Sequence, residues 1–286
     1  MSYNYWNNFI DNWRAFPHTE YINPTPLAPY NLILGWNNPN LTPLMNSQTL
    51  ADYSLQYLPE PWWGNNGIHI LNSVVINYNP WTGGASQHHN VSAHLNGFAT
   101  YSDFVNYSVL NGGTMAGTNN WHRNRARRIF NTLNRYFERV TIPIIQDVNL
   151  ENHLSVELIP WHTPDAKSPS FNSYKNNCLN EIYNYCFVFA ANESIRIINQ
   201  KLNRKVIVRL SGNATIKLLK NLNSIGIQSN STQPQYTPLP LLGNGGYMTF
   251  QFKNIPDVDF ISIWGKYSHN DFPPDVEMDW IFSNVI

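Results

Sequence analysis

With only two cysteines in 286 residues, this chain has no disulfide framework. Cys178 and Cys186 fall in one expected helical stretch, too far apart along a helix for disulfide geometry. They read as buried free thiols, a usage that fits a reducing compartment. Charge of one sign is also missing, since Lys plus Arg equals Asp plus Glu at 18 each. The chain as a whole is therefore not drawn to nucleic acid or to an acidic membrane, and any polyanion site must be local. No apolar run reaches the roughly 20 residues of a membrane span. Among the first thirty residues stand Asn4, Asn7, Asn8, Asp11, Asn12 and Arg14, which leave neither the basic start nor the unbroken apolar stretch of a signal peptide. A soluble, cytoplasmic protein with no membrane partner is the expectation, and nothing in the sequence implies an obligate protein partner.

A hydrophobic content of 42% is enough to build the core of one large domain, and no linker divides residues 1–286. Short apolar runs alternate with helical patterns, which predicts an α/β fold with a central four-stranded parallel sheet flanked by helices. The four runs are Tyr30 to Gly35, Ser155 to Ile159, Lys205 to Leu210 and Asp259 to Trp264. Val74 to Asn77 is a candidate added strand, and Tyr247 to Phe252 alternates like an edge strand. Helices are expected at about Arg123 to Glu138, Tyr174 to Asn199 with a break, and Asn213 to Leu222. From about Leu41 to Asn120 the chain is rich in Asn, Gly, Trp and Tyr, and reads as a long irregular insertion after the first strand.

Ligands of open α/β sheets bind beyond the carboxyl ends of the strands, so the residues after each run are the candidates for chemistry. These are Gly35-Trp36-Asn37-Asn38-Pro39-Asn40, Pro160-Trp161-His162-Thr163-Pro164-Asp165, Ser211-Gly212-Asn213 and Gly265-Lys266-Tyr267-Ser268-His269-Asn270-Asp271. The third is a polar helix start able to offer backbone N–H groups to a phosphate. Arg123, Arg125, Arg127 and Arg128 form a basic cluster running into the apolar-periodic Ile129, Leu133, Tyr136 and Phe137. They either grip phosphates or form the solvated start of an ordinary amphipathic helix. His88, His89 and His94 lack a Cys or carboxylate at ligand spacing, so no metal is expected.

In order and spacing this set resembles the uracil-DNA glycosylase superfamily. Leu32 through Pro39 looks like the family's strand and Gly-x-(Asn/Asp)-Pro loop, Val206 through Asn213 like its third strand and phosphate-contacting helix start, and Ile263 through His269 like its late strand and His loop. The first motif has two amides, Asn37 and Asn38, before Pro39, so either could be the catalytic one. Asn270-Asp271 stands where the family has Pro-Ser. The Cys set that holds an iron–sulfur cluster in some branches is absent, and no cofactor is expected.

The resemblance implies a monofunctional enzyme that breaks the N-glycosidic bond of a nucleotide flipped out of DNA. His269 would donate to the departing base as negative charge grows on it. Asn37 or Asn38 would orient the attacking water without accepting a proton, which makes the reaction strongly dissociative. Asp165 is the nearest carboxylate able to act as a true base, ahead of Asp271; for both, a turn or helix-cap role competes. Trp36, Pro39, Asn40, Trp161 and His162 would surround the base, while Lys266 and Ser268 would join Ser211, Gly212, Asn213 and the arginines on DNA phosphates.

Asn40 stands where uracil-specific relatives place a bulky Tyr, and the smaller residue leaves room at the pyrimidine 5-position. Trp62, Trp63 and Trp81 have flat faces suited to a sugar ring, although such aromatics equally build a satellite core. The resulting expectation is a glycosylase acting on a 5-substituted pyrimidine, for instance glucosylated hydroxymethylcytosine of phage DNA, in antiviral defence. A uracil-DNA glycosylase of base-excision repair is the conservative version. A non-catalytic DNA- or sugar-binding module is the reading from another class.

Overall fold

A computed structural model of the chain describes residues 3, 61–64, 67, 70–78, 99, 102–103, 129–137, 148–149, 151–158, 179–232, 245–265 and 272–286. Among the described residues, seven strands form one mixed sheet: β1 (Trp62–Gly64), β2 (Ser73–Asn77), β3 (His153–Glu157), β4 (Lys205–Val208), β5 (Ser229–Ser231), β6 (Gly246–Phe252) and β7 (Ile255–Trp264). Their spatial order is β1-β3-β2-β4-β7-β6-β5. The expected sheet of four strands is thus corrected to seven. Its middle consists of four mutually parallel strands, β3, β2, β4 and β7, extended by antiparallel β1 on one side and by β6 and β5 on the other.

Two strand expectations change as a result. Val74 to Asn77 is no added strand, because β2 lies between β3 and β4 in the parallel centre. Tyr247 to Phe252 is no edge, because β6 lies between β7 and β5; its alternation reflects an antiparallel ladder with uneven burial, and the short polar β5 takes the edge. The stretch from Leu41 to Asn120 is likewise not irregular throughout, since it contains β1 and β2. The run Tyr30 to Gly35 lies outside the described residues.

Register assigns each strand residue to a face, because side chains alternate along a strand. Val74, Ile76, Leu154, Val156, Val206, Val208, Phe260 and Ser262 share one face. On it packs a helical stretch made of α2 (Leu179–Ile182), a π-helical turn (Tyr183–Val188) and α3 (Phe189–Ser194), which fills the place expected for a broken helix. Phe187 of the turn meets Phe260 at 5.4 Å between ring centroids. Also on this face is α4 (Gly212–Ser224), whose Thr215 hydroxyl bonds that of Ser262 at 2.8 Å.

Thr215, Leu218, Leu219 and Leu222 give α4 its buried stripe. Its ends are set locally. Ser211 caps the start by accepting from the Ala214 N–H at 3.3 Å, and Gly226, at φ +89°, turns the chain away at the end.

The opposite face carries Ser73, Val75, Asn77, His153, Ser155, Glu157 and Ile207. Helical residues 129–137, here α1, cover part of it, with Phe130 edge-on to His153 at 5.1 Å. Ile129, Leu133, Tyr136 and Phe137 are buried, as their helical spacing predicts. The C-terminal helix α5 (Asp275–Asn284) joins the same layer, stacking Phe282 on Tyr136 at 5.0 Å. The architecture is therefore α/β with helices on both faces. Cys186 is free and buried, and burial pushes its thiol pKa well up; Cys178 lies outside the described residues. No helix among the described residues is long and apolar enough to cross a membrane.

Gly245 sits where β6 begins beside the end of β7. A methyl group there would lie 3.0 Å from the Glu277 carboxylate and 3.2 Å from the backbone carbonyl of Trp264. Because the carbonyl is backbone and cannot swing aside, Gly245→Ala is expected to lower stability by about 1–3 kcal/mol. An unchanged urea midpoint would show that this corner relaxes freely.

Candidate functional site

Because β2, β3, β4 and β7 are parallel, their carboxyl ends meet at one edge of the sheet. Two of these strands, β2 and β3, close on polar residues. Asn77 ends β2 and Glu157 ends β3, and the two are direct register partners. Arg209, one residue past the end of β4, continues the ladder by donating its backbone N–H to the Ile76 carbonyl at 2.8 Å. Extending the Ile76–Val208 pairing by one residue brings Arg209 abreast of Asn77. Glu157, Asn77 and Arg209 thus form a row across three neighbouring strands, all on one face.

All three are buried, with 2%, 1% and 7% of their surface exposed. Charged groups are rarely buried without partners, because desolvation costs several kcal/mol per ion. One partner is plain: the Arg209 guanidinium donates to Asn77 Oδ1 at 3.0 Å. A guanidinium cannot accept, so this bond also fixes which end of the amide is which. The Nδ2 end of Asn77 has no hydrogen-bond partner among the described residues. On its other side Arg209 lies over the ring of Phe272, 5.0 Å from the centroid.

Phe272 matters for what it follows. β7 ends at this edge on Trp264, followed by Gly265, and Phe272 lies against Arg209. Both flanks of the segment that holds Lys266, Ser268 and His269 are therefore anchored at this edge.

A second polar group lies farther back on the same face. His153 is held between two hydroxyls, with Ser73 Oγ at 2.8 Å from Nδ1 and Ser155 Oγ at 2.8 Å from Nε2. Burial, reinforced by the positive charge of Arg209, pushes its pKa down to about 3, so the ring is neutral. Hydroxyls donate or accept as required, so the pair satisfies the ring in either tautomer.

Among the residues singled out from sequence, Ser211, Gly212 and Asn213 are where a helix start was expected. Ser211 spends its hydroxyl on the cap, which leaves the first backbone N–H groups of α4 as its donors. Trp62 is fully buried and Trp63 nearly so, both within the hydrophobic core on β1, which is the core role weighed against sugar recognition. The Trp62 ring is met edge-on by Tyr3 at 4.8 Å. Outside the described residues lie Trp36, Asn37, Asn38, Pro39, Asn40, Trp81, Arg123, Arg125, Arg127, Arg128, Trp161, His162, Asp165, Lys266, Ser268 and His269. Of these, Trp161, His162 and Asp165 follow β3 in sequence, and Lys266, Ser268 and His269 follow β7.

Sequence reasoning missed Asn77, Glu157 and Arg209. The signal was a charge or amide inside or closing an apolar run, which is unusual in a strand buried on both faces. It also passed over Tyr78-Asn79-Pro80, the residues that follow the inner parallel strand β2 in sequence, which contain an Asn-Pro step of their own. No group of three or more His, Cys, Asp or Glu residues arranged to hold a metal ion occurs among the described residues. No protein-family model, curated protein or solved structure matches the chain.

Proposed function

We propose that this protein is a DNA glycosylase that hydrolyses the N-glycosidic bond of a flipped-out, 5-substituted pyrimidine, for instance glucosylated hydroxymethylcytosine of phage DNA. The observation that carries this reading is the row Glu157-Asn77-Arg209 at the common carboxyl edge of four parallel strands. Such an edge is the ligand site of open α/β sheets, and a buried carboxylate, amide and guanidinium in line are what reading a flat polar base requires. Resemblance to the uracil-DNA glycosylase superfamily, including the His269 loop after the last parallel strand, supports the same chemistry.

In this mechanism the extruded base lies over the polar row. His269 donates a hydrogen bond to the base as the glycosidic bond breaks and the base takes up negative charge. An Asn side chain orients water toward the sugar carbon, and Asp165 is the candidate base. Asn79, before Pro80, joins Asn37 and Asn38 as a candidate amide for that task, because it follows the inner parallel strand β2 in sequence. Phosphates flanking the flipped nucleotide would meet the start of α4 at Gly212 and Asn213, with Lys266, Ser268 and the arginines at 123, 125, 127 and 128 as further donors. Trp81, close after Asn79, remains a candidate for the sugar of a glucosylated base.

The test is alkaline cleavage at abasic sites in DNA carrying cytosine, uracil or glucosylated hydroxymethylcytosine. Strand breaks on the glucosylated DNA are expected from the wild-type protein, and His269→Ala should lower the rate by about 100-fold or more without unfolding the chain. Asn37→Ala, Asn38→Ala and Asn79→Ala, compared side by side, should give one variant with a similar loss. Cleavage of uracil DNA alone would establish the repair enzyme instead. Absence of abasic sites from every substrate would remove the glycosylase reading.

A further inference from the structure

We infer that Glu157 and Asn77 select the base by its exocyclic amino group, so that the site takes cytosine-type pyrimidines and rejects those with a 4-keto group. This rests on the glycosylase reading of the site, and it makes the two residues specificity-determining rather than part of bond cleavage.

The argument begins with what each side chain can offer. An ionised carboxylate only accepts hydrogen bonds, while the amide end of Asn77 left over from Arg209 only donates. The Arg209 bond to Asn77 Oδ1 prevents these roles from exchanging, because turning the amide over would set two donors against each other. Neighbouring strands lie about 4.8 Å apart, so the acceptor and donor project side by side from β3 and β2. A cytosine ring presents the complement along its pairing edge: its 4-amino group donates, and its N3 and O2 accept. Uracil and thymine present a 4-keto acceptor and an N3–H donor, which would set acceptor against acceptor at Glu157.

Burial gives the choice its strength. With Asn77 1% exposed and Glu157 2% exposed, little water reaches either group to repair a mismatch. A polar site of this kind rejects the wrong partner through groups left unsatisfied, which separates substrates more sharply than shape does. The Nδ2 of Asn77, without a hydrogen-bond partner among the described residues, is the donor left for a ligand acceptor. Phe272, lying over Arg209, holds the third member of the row in place from the other side.

The experiment pairs substrates that differ only at position 4: DNA with 5-hydroxymethylcytosine against 5-hydroxymethyluracil, and the two corresponding nucleosides at millimolar concentration in a thermal-shift assay. Wild-type protein should cleave, and be stabilised by, the amino member of each pair. Glu157→Gln keeps the side-chain shape and supplies an N–H donor, so the ratio of amino to keto preference should fall about 10- to 100-fold. Asn77→Asp, which still accepts from Arg209, should lose affinity for the amino nucleoside, and its unchanged urea midpoint would report an intact fold. Equal losses on both members of a pair, or wild-type preference for the keto member, would overturn the inference. Nucleoside discrimination without cleavage of any DNA would keep the base-reading row and reject the glycosylase; cleavage without discrimination would do the reverse.

Discussion

Phe260→Ala should cost the protein about 3–5 kcal/mol of stability, the largest loss expected from a single truncation in this core. Phe260 has no exposed surface, and its ring is enclosed by three others: Phe250 stacked at 5.3 Å and 12°, Phe252 edge-on at 5.3 Å, and Phe187 edge-on at 5.4 Å. Two of these rings come from β6 and one from the π-helical turn, so the cluster ties an antiparallel part of the sheet to the helix layer. A cavity left there cannot be closed by one neighbour moving, because each ring is already held by another. Phe187 meets Phe252 at 5.2 Å, and Phe250 meets Phe252 at 5.7 Å. Urea unfolding checks the value. A midpoint lowered with an unchanged slope is expected, with Phe260→Leu losing clearly less; a loss below about 1 kcal/mol would mean that the cluster repacks.

Acidification should produce the second large effect, through His153. Its folded pKa is pushed down to about 3 by burial and by Arg209, against 6.5 for an unperturbed histidine. Between those values the unfolded chain binds a proton that the folded chain refuses, so stability rises with pH across this window. Above pH 6.5 the contribution is fully present; it declines as pH falls toward 3, at up to about 1.4 kcal/mol per pH unit. From neutrality to pH 4 the accumulated loss is about 3 kcal/mol, enough to shift an unfolding midpoint visibly. His153→Gln retains hydrogen bonding toward Ser73 and Ser155 but does not titrate. Its stability should therefore depend less on pH in this range, whatever its absolute value at neutrality. Parallel pH profiles for the two proteins would assign the acid sensitivity to other groups.

These effects share an origin with the candidate site. The face of β2 and β3 that bears Asn77 and Glu157 at the carboxyl edge bears Ser73, His153 and Ser155 farther back, and the charge of Arg209 reaches His153 as well. Acid exposure that protonates His153 would place a second positive charge near Arg209, on the face that the base is proposed to meet.

Local pattern was enough to recognise β3, β4 and the end of β7 as strands, because apolar runs of that length between turn residues have few other uses. It was enough for α4 as well, where Ser211 at the cap and Leu218, Leu219 and Leu222 on one face all agree. The 3.6-residue spacing of Ile129, Leu133, Tyr136 and Phe137 likewise declared the buried stripe of α1. What local pattern could not supply was order across the sheet. Val74 to Ile76 is as apolar as any strand interior, yet whether it sits at the margin or between β3 and β4 depends on pairings with residues about 80 and 130 positions away.

The same physics divides the site. Neighbouring residues alone are enough to show that polar stretches follow apolar runs, that a His follows the last of them, and that a capped helix starts after β4. It takes the folded sheet to set Glu157, Asn77 and Arg209 abreast. Each looked like an isolated polar residue at the end of its own run, and parallel register alone makes them one row on one face. Strand pairing is a non-local choice made by the whole core, which is why chemistry spread over three strands becomes legible only after the chain has folded.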